Sequence, residues 1–188
     1  MTEPLVTARL LLRQWRDEDL TPYTELNADP RVTEFFPAPF TPEQSLEQVI
    51  RFSADLDAGR PGVFAVERRE QGDFIGFIGL NVPRFEAAFT PCVEVGWRLA
   101  PHMWRQGLAS EGARAALAHG FTTLGLDEIV SFTSRLNLPS QAVMRTIGMT
   151  HDPAGDFEHP NLPDGHPLRP HVLYRVSSDT AAKPGERV

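Results

Sequence analysis

The residues most able to do chemistry lie together in Arg105-Gln106-Gly107-Leu108-Ala109-Ser110. The stretch from Cys92 to Thr123 reads as a strand, a short glycine-bearing turn and a long apolar-periodic helix. A helix entered this way leaves its first N–H groups without intrahelical partners, and its dipole adds partial positive charge there. Gly107 has no Cβ, so backbone can approach an anion closely at an unusual dihedral. Leu108, Ala109 and Ser110 supply further N–H donors, the Ser110 hydroxyl adds one more, and Arg105 adds a cation. Arg98 and Arg145 are alternative cations from neighbouring elements, although Arg145 also reads as a solvated helix residue. The chemistry expected is anion binding. Gly107 taken alone reads equally well as a tight turn.

Two other reactive groups are set aside. Cys92 has no motif around it and fits the habit of free cysteine as a small buried residue. His151, His159, His166 and His171, with Asp152, Asp156, Glu158 and Asp164, lack zinc-ligand spacing, so no metal is expected and a polar loop is preferred.

The elements that position the turn follow from patterning. Ala8 to Trp15 reads as a strand. Asp17 offers an N-cap, with Glu18 and Asp19 in the first turn, for a helix through Leu26. The proline-broken FFPAPF segment is either a substrate-facing loop or a lid on the core. Thr41-Pro42-Glu43-Gln44 has the form of a capping box and opens a helix ending near Gly59. Val63–Arg68 and Phe74–Asn81 form a hairpin. In the second strand, Gly76 and Gly79 either weaken pairing or allow close backbone approach. Val93, Val95, Trp97 and Leu99 alternate with Glu94, Gly96 and Arg98, the period of a strand with two distinct faces. Helices are expected from Leu108 to Gly125 and from Asn137 to Ile147. Strands are expected at Glu128–Ser134, near Met149–His151 and at His171–Val176. Residues 1–176 form one domain in this reading, 151–170 a long loop, and 177–188 a polar tail.

Composition bounds the function. The chain has 188 residues, 41% of them hydrophobic, with one cysteine and a formal net charge of -7. A core of ordinary size is affordable, general nucleic-acid binding is disfavoured, and no intramolecular disulfide can form. No leader or membrane-spanning run is expected, which points to a cytoplasmic protein without membrane partners.

VEVGWRLAP, WRQGLASEG and NLPSQAVMRTIGM, in that order, resemble the motif series of the GNAT superfamily of CoA-dependent N-acyltransferases. The similarity is strongest from Val93 to Met149 and points to the RimJ/RimL type, the ribosomal-protein N-terminal acetyltransferases and their relatives. The wider pattern has Gln or Arg three residues before the central glycine, where this chain has Trp104; many members of that branch also depart there. The resemblance implies an α+β fold. Its mostly antiparallel mixed sheet would have about seven strands and helices on both faces, splayed between the strand ending at Leu99 and Glu128–Ser134. Acetyl-CoA would lie in that cleft, its pyrophosphate on Arg105–Ser110. The acceptor would be a protein N-terminal amine or a small amine such as an amino acid, polyamine or antibiotic. A homodimer is among the assemblies allowed. A non-catalytic acetyl-CoA-binding module is the alternative from another class.

In similar enzymes the residue at Asn137 contacts the coenzyme arm, and that at Ser140 lies near the thioester sulfur, where it can protonate the departing thiolate. Helix capping explains the same pair. Some relatives carry a tyrosine seven residues after the asparagine; here that position is Met144. Backbone N–H groups of Trp97, Arg98 and Leu99 are the expected donors to the thioester carbonyl. Glu94 is the candidate base, against an ordinary salt bridge. The His151–Pro170 loop, with Phe35, Phe36 and Phe40, is expected to border the acceptor site.

Overall fold

The computed structural model describes residues 2–181. Its sheet has nine strands rather than about seven. The additional ones are short: β1 (Leu5–Val6), β7 (Thr150–His151) and β8 (Phe157–Glu158) have two residues each. Two residues carry no period, so hydrophobic alternation cannot reveal such strands. The longer strands are β2 (Leu10–Arg13), β3 (Val63–Arg68), β4 (Phe74–Asn81), β5 (Glu94–Leu99), β6 (Glu128–Ser134) and β9 (Pro170–Ser177). Their order is β1-β2-β3-β4-β5-β6-β9-β7, with β8 also on β9.

Every pairing is antiparallel except β5 with β6. That junction holds a single register pair, Glu94 with Val130. The Val130 N–H donates to the Val93 carbonyl at 2.9 Å, and the Ser131 hydroxyl to the Val95 carbonyl at 2.9 Å. Beyond these bonds the strands part, while β6 stays paired with β9 from Glu128 to Ser134. The opening lies at the C-terminal ends of β5 and β6.

Helices cover both faces. On one lies α3 (Leu108–Thr122), whose small residues allow close packing. A Cβ at Gly112 would stand 2.4 Å from the Ile78 Cδ1, and one at Gly120 2.6 Å from the Ile129 Cδ1. The other face carries α1 (Leu20–Ala28) and α2 (Pro42–Asp57), over a cluster of Trp15, Tyr23, Phe52, Phe74 and Phe77. The capping box is present: Gln44 N–H donates to the Thr41 hydroxyl at 3.2 Å, and Thr41 N–H to the Gln44 side chain at 2.9 Å. Close backbone approach is what Gly79 allows, since a Cβ there would lie 2.4 Å from the Gly62 carbonyl oxygen. The fourth long helix, α4 (Leu138–Thr146), flanks β6, and a short α5 (Ser178–Ala181) extends β9 into the expected tail. The rest of that tail lies outside the described residues. Among the described residues, no helix is long and apolar enough to cross a membrane.

The entry to α1 departs from expectation. Asp17 begins a 3₁₀ turn, Asp17–Asp19, and it is Asp19 that is buried. Arg13, also buried, grips both Asp19 oxygens at 2.7 and 2.9 Å and reaches Glu67 at 2.7 Å through Nε. The Asp19 carboxylate also accepts the Arg16 N–H at 2.8 Å. These bonds fasten the end of β2 to the start of the helical layer. Removing one member of a buried pair leaves a charge without compensation. Asp19→Ala should therefore lower unfolding free energy by about 3 kcal/mol, read from the shift in urea midpoint at constant m-value.

Candidate active site

The glycine turn presents backbone donors to solvent. Arg105 has φ of 60° and Gly107 has φ of 77°, both left-handed, on either side of Gln106. Gly107 is the N-cap of α3 and offers no side chain to the helix, so the Leu108, Ala109 and Ser110 N–H groups meet no capping side chain. Arg105 and Gly107 are exposed.

Sequence reading missed what holds this turn. Arg9 donates from Nη1 to the Gln106 carbonyl at 2.9 Å. A peptide whose oxygen is drawn inward turns its N–H, that of Gly107, the opposite way. Arg9 is itself fixed by Glu111 in the first turn of α3, through Nε at 2.7 Å and its own N–H at 2.8 Å. Thr7 adds a hydroxyl bond to the same Glu111 at 2.6 Å. The only available signal was an acidic residue in a helix's first turn, which usually suggests a dipole effect. Trp104, at the position of the family departure, donates its indole N–H to the Leu99 carbonyl at 2.7 Å and closes the end of β5. The Gln106 side chain donates to the His102 carbonyl at 2.9 Å, which further braces the turn.

Along β5, hydrogen-bonding direction alternates. Ala100 N–H reaches β4 through Ile75, whereas the carbonyls of Val93, Val95 and Leu99 face the other way. By this alternation the Trp97 and Leu99 N–H groups point toward the opening, and the Arg98 N–H points toward β4. The three donors expected at the cleft therefore reduce to two. The Arg98 side chain also departs from its assignment as a phosphate cation. It is buried on the α1–α2 face, donating to Asn27 at 2.5 Å and stacked 4.5 to 5.1 Å from the ring centres of Phe36, Phe40 and Phe77. Its guanidinium organises the aromatic loop instead. FFPAPF thus packs on the core at Arg98 while Phe36 keeps 37% of its surface exposed.

Glu94 shares the Arg98 face. Its carboxylate accepts from Asn81 Nδ2 at 2.8 Å and makes no salt bridge among the described residues. Desolvation pushes its pKa up to about 7 from the usual 4.5, against the Asn81 hydrogen bond and the charge of Arg51, which pull the other way. Between Glu94 and Arg98 on that face stands Gly96, where an added Cβ would meet no heavy atom within 4 Å. The strand therefore has a hollow directly beside the carboxylate. Next to this region is a cavity of about 270 Å³ lined by Phe40, Gln44, Glu47, Gln48, Arg51 and Arg84.

Asn137 caps α4: its oxygen accepts the Ser140 N–H at 3.1 Å while its amide group donates to Thr133 at 3.0 Å. The Ser140 hydroxyl has no hydrogen-bond partner among the described residues. Met144 is buried in the core. Arg145 donates to the Tyr174 hydroxyl at 3.0 Å, so its guanidinium is engaged away from the glycine turn. Burial first, and Glu94 second, push the Cys92 thiol up to about 11, which leaves it protonated and poorly nucleophilic. The 151–170 loop brings Phe157 and His159 against Phe85, and Arg84, the neighbour of Phe85, lines the cavity that also touches Phe40. The loop and the early aromatic segment are thus linked through residues 84–85. Among the described residues, no group of three or more His, Cys, Asp or Glu side chains is arranged to hold a metal.

Residues 9–150 match the family model described as an acetyltransferase (GNAT) domain. The chain is 35% identical over 153 residues to FsC-acetyl coenzyme A-N(2)-transacetylase of Aspergillus fumigatus, an alignment covering 78% of this chain and 65% of that protein. It therefore spans just under two thirds of that relative's length. The fold matches the crystal structure of the acetyltransferase from Agrobacterium tumefaciens with a TM-score of 0.76 at 29% identity, covering 95% of this chain and 96% of that one. It also matches RimL, the ribosomal L7/L12 alpha-N-protein acetyltransferase in complex with coenzyme A, with a TM-score of 0.75. At 16% identity, over 95% of this chain and 99% of that one, this is a likeness of fold alone. With a parted β5–β6 junction, an uncapped glycine turn and these matches over most of its length, the chain belongs to the GNAT acetyltransferase family.

Proposed function

We propose that this protein transfers the acetyl group of acetyl-CoA to a primary amine by direct attack on the thioester, with Glu94 as general base. The observation that carries the reading is a carboxyl group poised near pH 7, beside a strand hollow and next to a sheet opening. The pyrophosphate of acetyl-CoA is assigned to the turn Arg105–Ser110, with backbone donors from Gly107, Leu108, Ala109 and Ser110. The named activity of the Aspergillus relative supports the choice of acetyl-CoA. The motif series from Val93 to Met149 supports a RimJ/RimL-like ancestry.

In this reading the acceptor nitrogen attacks the thioester carbonyl carbon and gives its proton to Glu94. Trp97 and Leu99 N–H groups stabilise the oxyanion; the C–S bond then breaks and the thiolate takes a proton from the unpartnered Ser140 hydroxyl, which regains one from water while Glu94 returns its own to solvent. Asn137 keeps Ser140 in place and has one amide hydrogen left for the coenzyme arm. A thiol is already fairly acidic, so the base matters more than the acid. An α-amine of pKa about 7.8 is about one-seventh neutral at pH 7, against about 0.04% for a lysine amine, so a base near 7 suits the former. The choice of acceptor lies between a protein N-terminus and a small molecule. An open cavity of about 270 Å³ beside this face is of a size that suits the small one.

Glu94→Gln should reduce kcat/KM by about 10²- to 10⁴-fold and remove the rise in rate that the parent shows as pH passes through about 7. Stability changes with the opposite sign. The folded carboxyl holds its proton more tightly than the unfolded chain does, so its contribution is complete below 4.5 and is lost as pH rises through about 7. Thermal melts should accordingly show the glutamine variant gaining on the parent between pH 5 and 8.

At the coenzyme turn, Gly107→Val places a β-branched side chain in left-handed backbone and in the path of the phosphate. Acetyl-CoA affinity in the folded variant should fall about 10- to 100-fold by calorimetry, and unchanged affinity would overturn the phosphate assignment. Gly96→Val has room to fold, because its Cβ meets open space. It should raise the acceptor KM while leaving acetyl-CoA affinity within about twofold of the parent, since it fills the hollow on the acceptor side only.

A further inference from the structure

The cavity lined by Arg51, whose charge is felt at Glu94, has a charge arrangement that the transfer chemistry does not explain. Two of its lining residues, Arg51 and Arg84, make no salt bridge and no side-chain hydrogen bond among the described residues. Arg9, Arg13, Arg16, Arg31, Arg60, Arg68, Arg169 and Arg175 each pair with a carboxylate, and Arg69, Arg98, Arg114 and Arg145 donate to other oxygens. Arg105 and Arg135, both exposed, share the lack of a partner among the described residues, but neither lines this cavity. The Arg51 Nε is fully covered and has no hydrogen-bond partner. Leaving a buried donor of a charged group unsatisfied is costly, and native structures keep such groups for a reason.

Available acids nearby do not relieve it. Glu47 lines the same cavity one helical turn before Arg51, the spacing at which helix ion pairs form, yet it does not reach the guanidinium. Asp55, one turn after Arg51, pairs with Arg60 at 2.6 Å. Glu94 lies close enough to feel the Arg51 charge but bonds to Asn81. Arg51 itself is held by packing, its guanidinium carbon 5.0 Å from the Phe52 ring centre. Burial and then the neighbouring Arg84 charge both disfavour the Arg51 cation. Two guanidinium groups that repel each other around a small cavity make a receptor for an anion, since planar forks match a carboxylate in bidentate geometry.

We infer that the acceptor is a small aminocarboxylate, an amino acid or a molecule of similar size derived from one, whose carboxylate lies between Arg51 and Arg84 while its amine faces Glu94. This rests on the acetyl-transfer reading above and narrows its substrate class. Size agrees: about 270 Å³ is below the range of about 300–1,000 Å³ typical of drug-sized ligands. A cation seated between Arg51 and Arg84 would be repelled, so this pair of charges favours an acceptor that carries a carboxylate over a polyamine. The exposed Glu47 on the same wall is left to receive a polar or cationic group farther along the acceptor.

The test is acetyl-CoA-dependent thiol release across matched acceptors. The panel holds the natural α-amino acids, the corresponding amino acid amides, spermidine and a short peptide with a free N-terminus. At least one amino acid should exceed its amide by about 10- to 100-fold in kcat/KM, the scale of a charge-assisted hydrogen bond. Arg51→Gln and Arg84→Gln should each collapse that ratio, and using the ratio cancels any common effect through Glu94. Equal rates for acids and amides, an unchanged ratio in both variants, or release only with peptide or spermidine would overturn the aminocarboxylate assignment and leave acetyl transfer standing. No release with any member, despite acetyl-CoA binding by calorimetry, would overturn both.

Discussion

The architecture depends on how briefly β5 and β6 stay together. One parallel pair at Glu94 and Val130, flanked by the Val130 N–H bond to Val93 and the Ser131 hydroxyl bond to Val95, forms the strand junction between the two halves of the sheet. Past that point β5 still has backbone donors aimed at a strand that is no longer there. Water or a ligand must satisfy them, since unpaired buried backbone is costly. The gap persists because both sides are held elsewhere. The β4 strand pairs with β5 along its full length, and β9 does the same for β6. Arg114, at the far wall, donates from α3 to the Thr146 carbonyl at the end of α4 at 2.7 Å, so the helices flanking the gap are tied as well.

The same strand separates two electrostatic environments. Its end leads into the uncapped helix start, where partial positive charge is exposed and an anion is welcome. Its α1–α2 face begins with a carboxyl group desolvated enough to keep a proton near neutrality. Gly96 provides space between Glu94 and the packed Arg98. A strand of six residues therefore supplies a wall, two backbone donors and a desolvated carboxyl group, because alternate residues serve different sides. Net charge of -7 reveals none of this, since both sites depend on a few groups whose positions composition does not record.

What could be read in advance follows from range. Val63–Arg68, Phe74–Asn81 and Glu128–Ser134 appear with the expected boundaries, and the Thr41–Gln44 capping box forms, because period and cap are local properties. The glycine turn was legible for the same reason. The two-residue strands were not, having too few residues to show alternation. Nor was the burial of Asp19: a first-turn acid looks alike whether it faces solvent or an arginine from β2. At the site, the position of Glu94 on its strand was readable, but its Asn81 partner and its raised pKa depend on strand pairing and neighbouring helices. Arg98 was misassigned because a sequence shows that an arginine is near a motif and not which face of the strand it takes. Arg51 and Arg84 escaped notice because a missing partner is visible only in three dimensions.

Arg9 and Gln106 are 97 residues apart, yet the orientation of one peptide in the glycine turn rests on the bond between them. The local motif is therefore incomplete by itself. A nascent chain that has already made Arg105–Ser110 and its helix acquires a correctly set turn only when the first strands dock and Arg9 closes on Glu111 and Gln106. The set of this turn is thus a property of the assembled sheet and helix, and it depends on the N-terminal segment being in place.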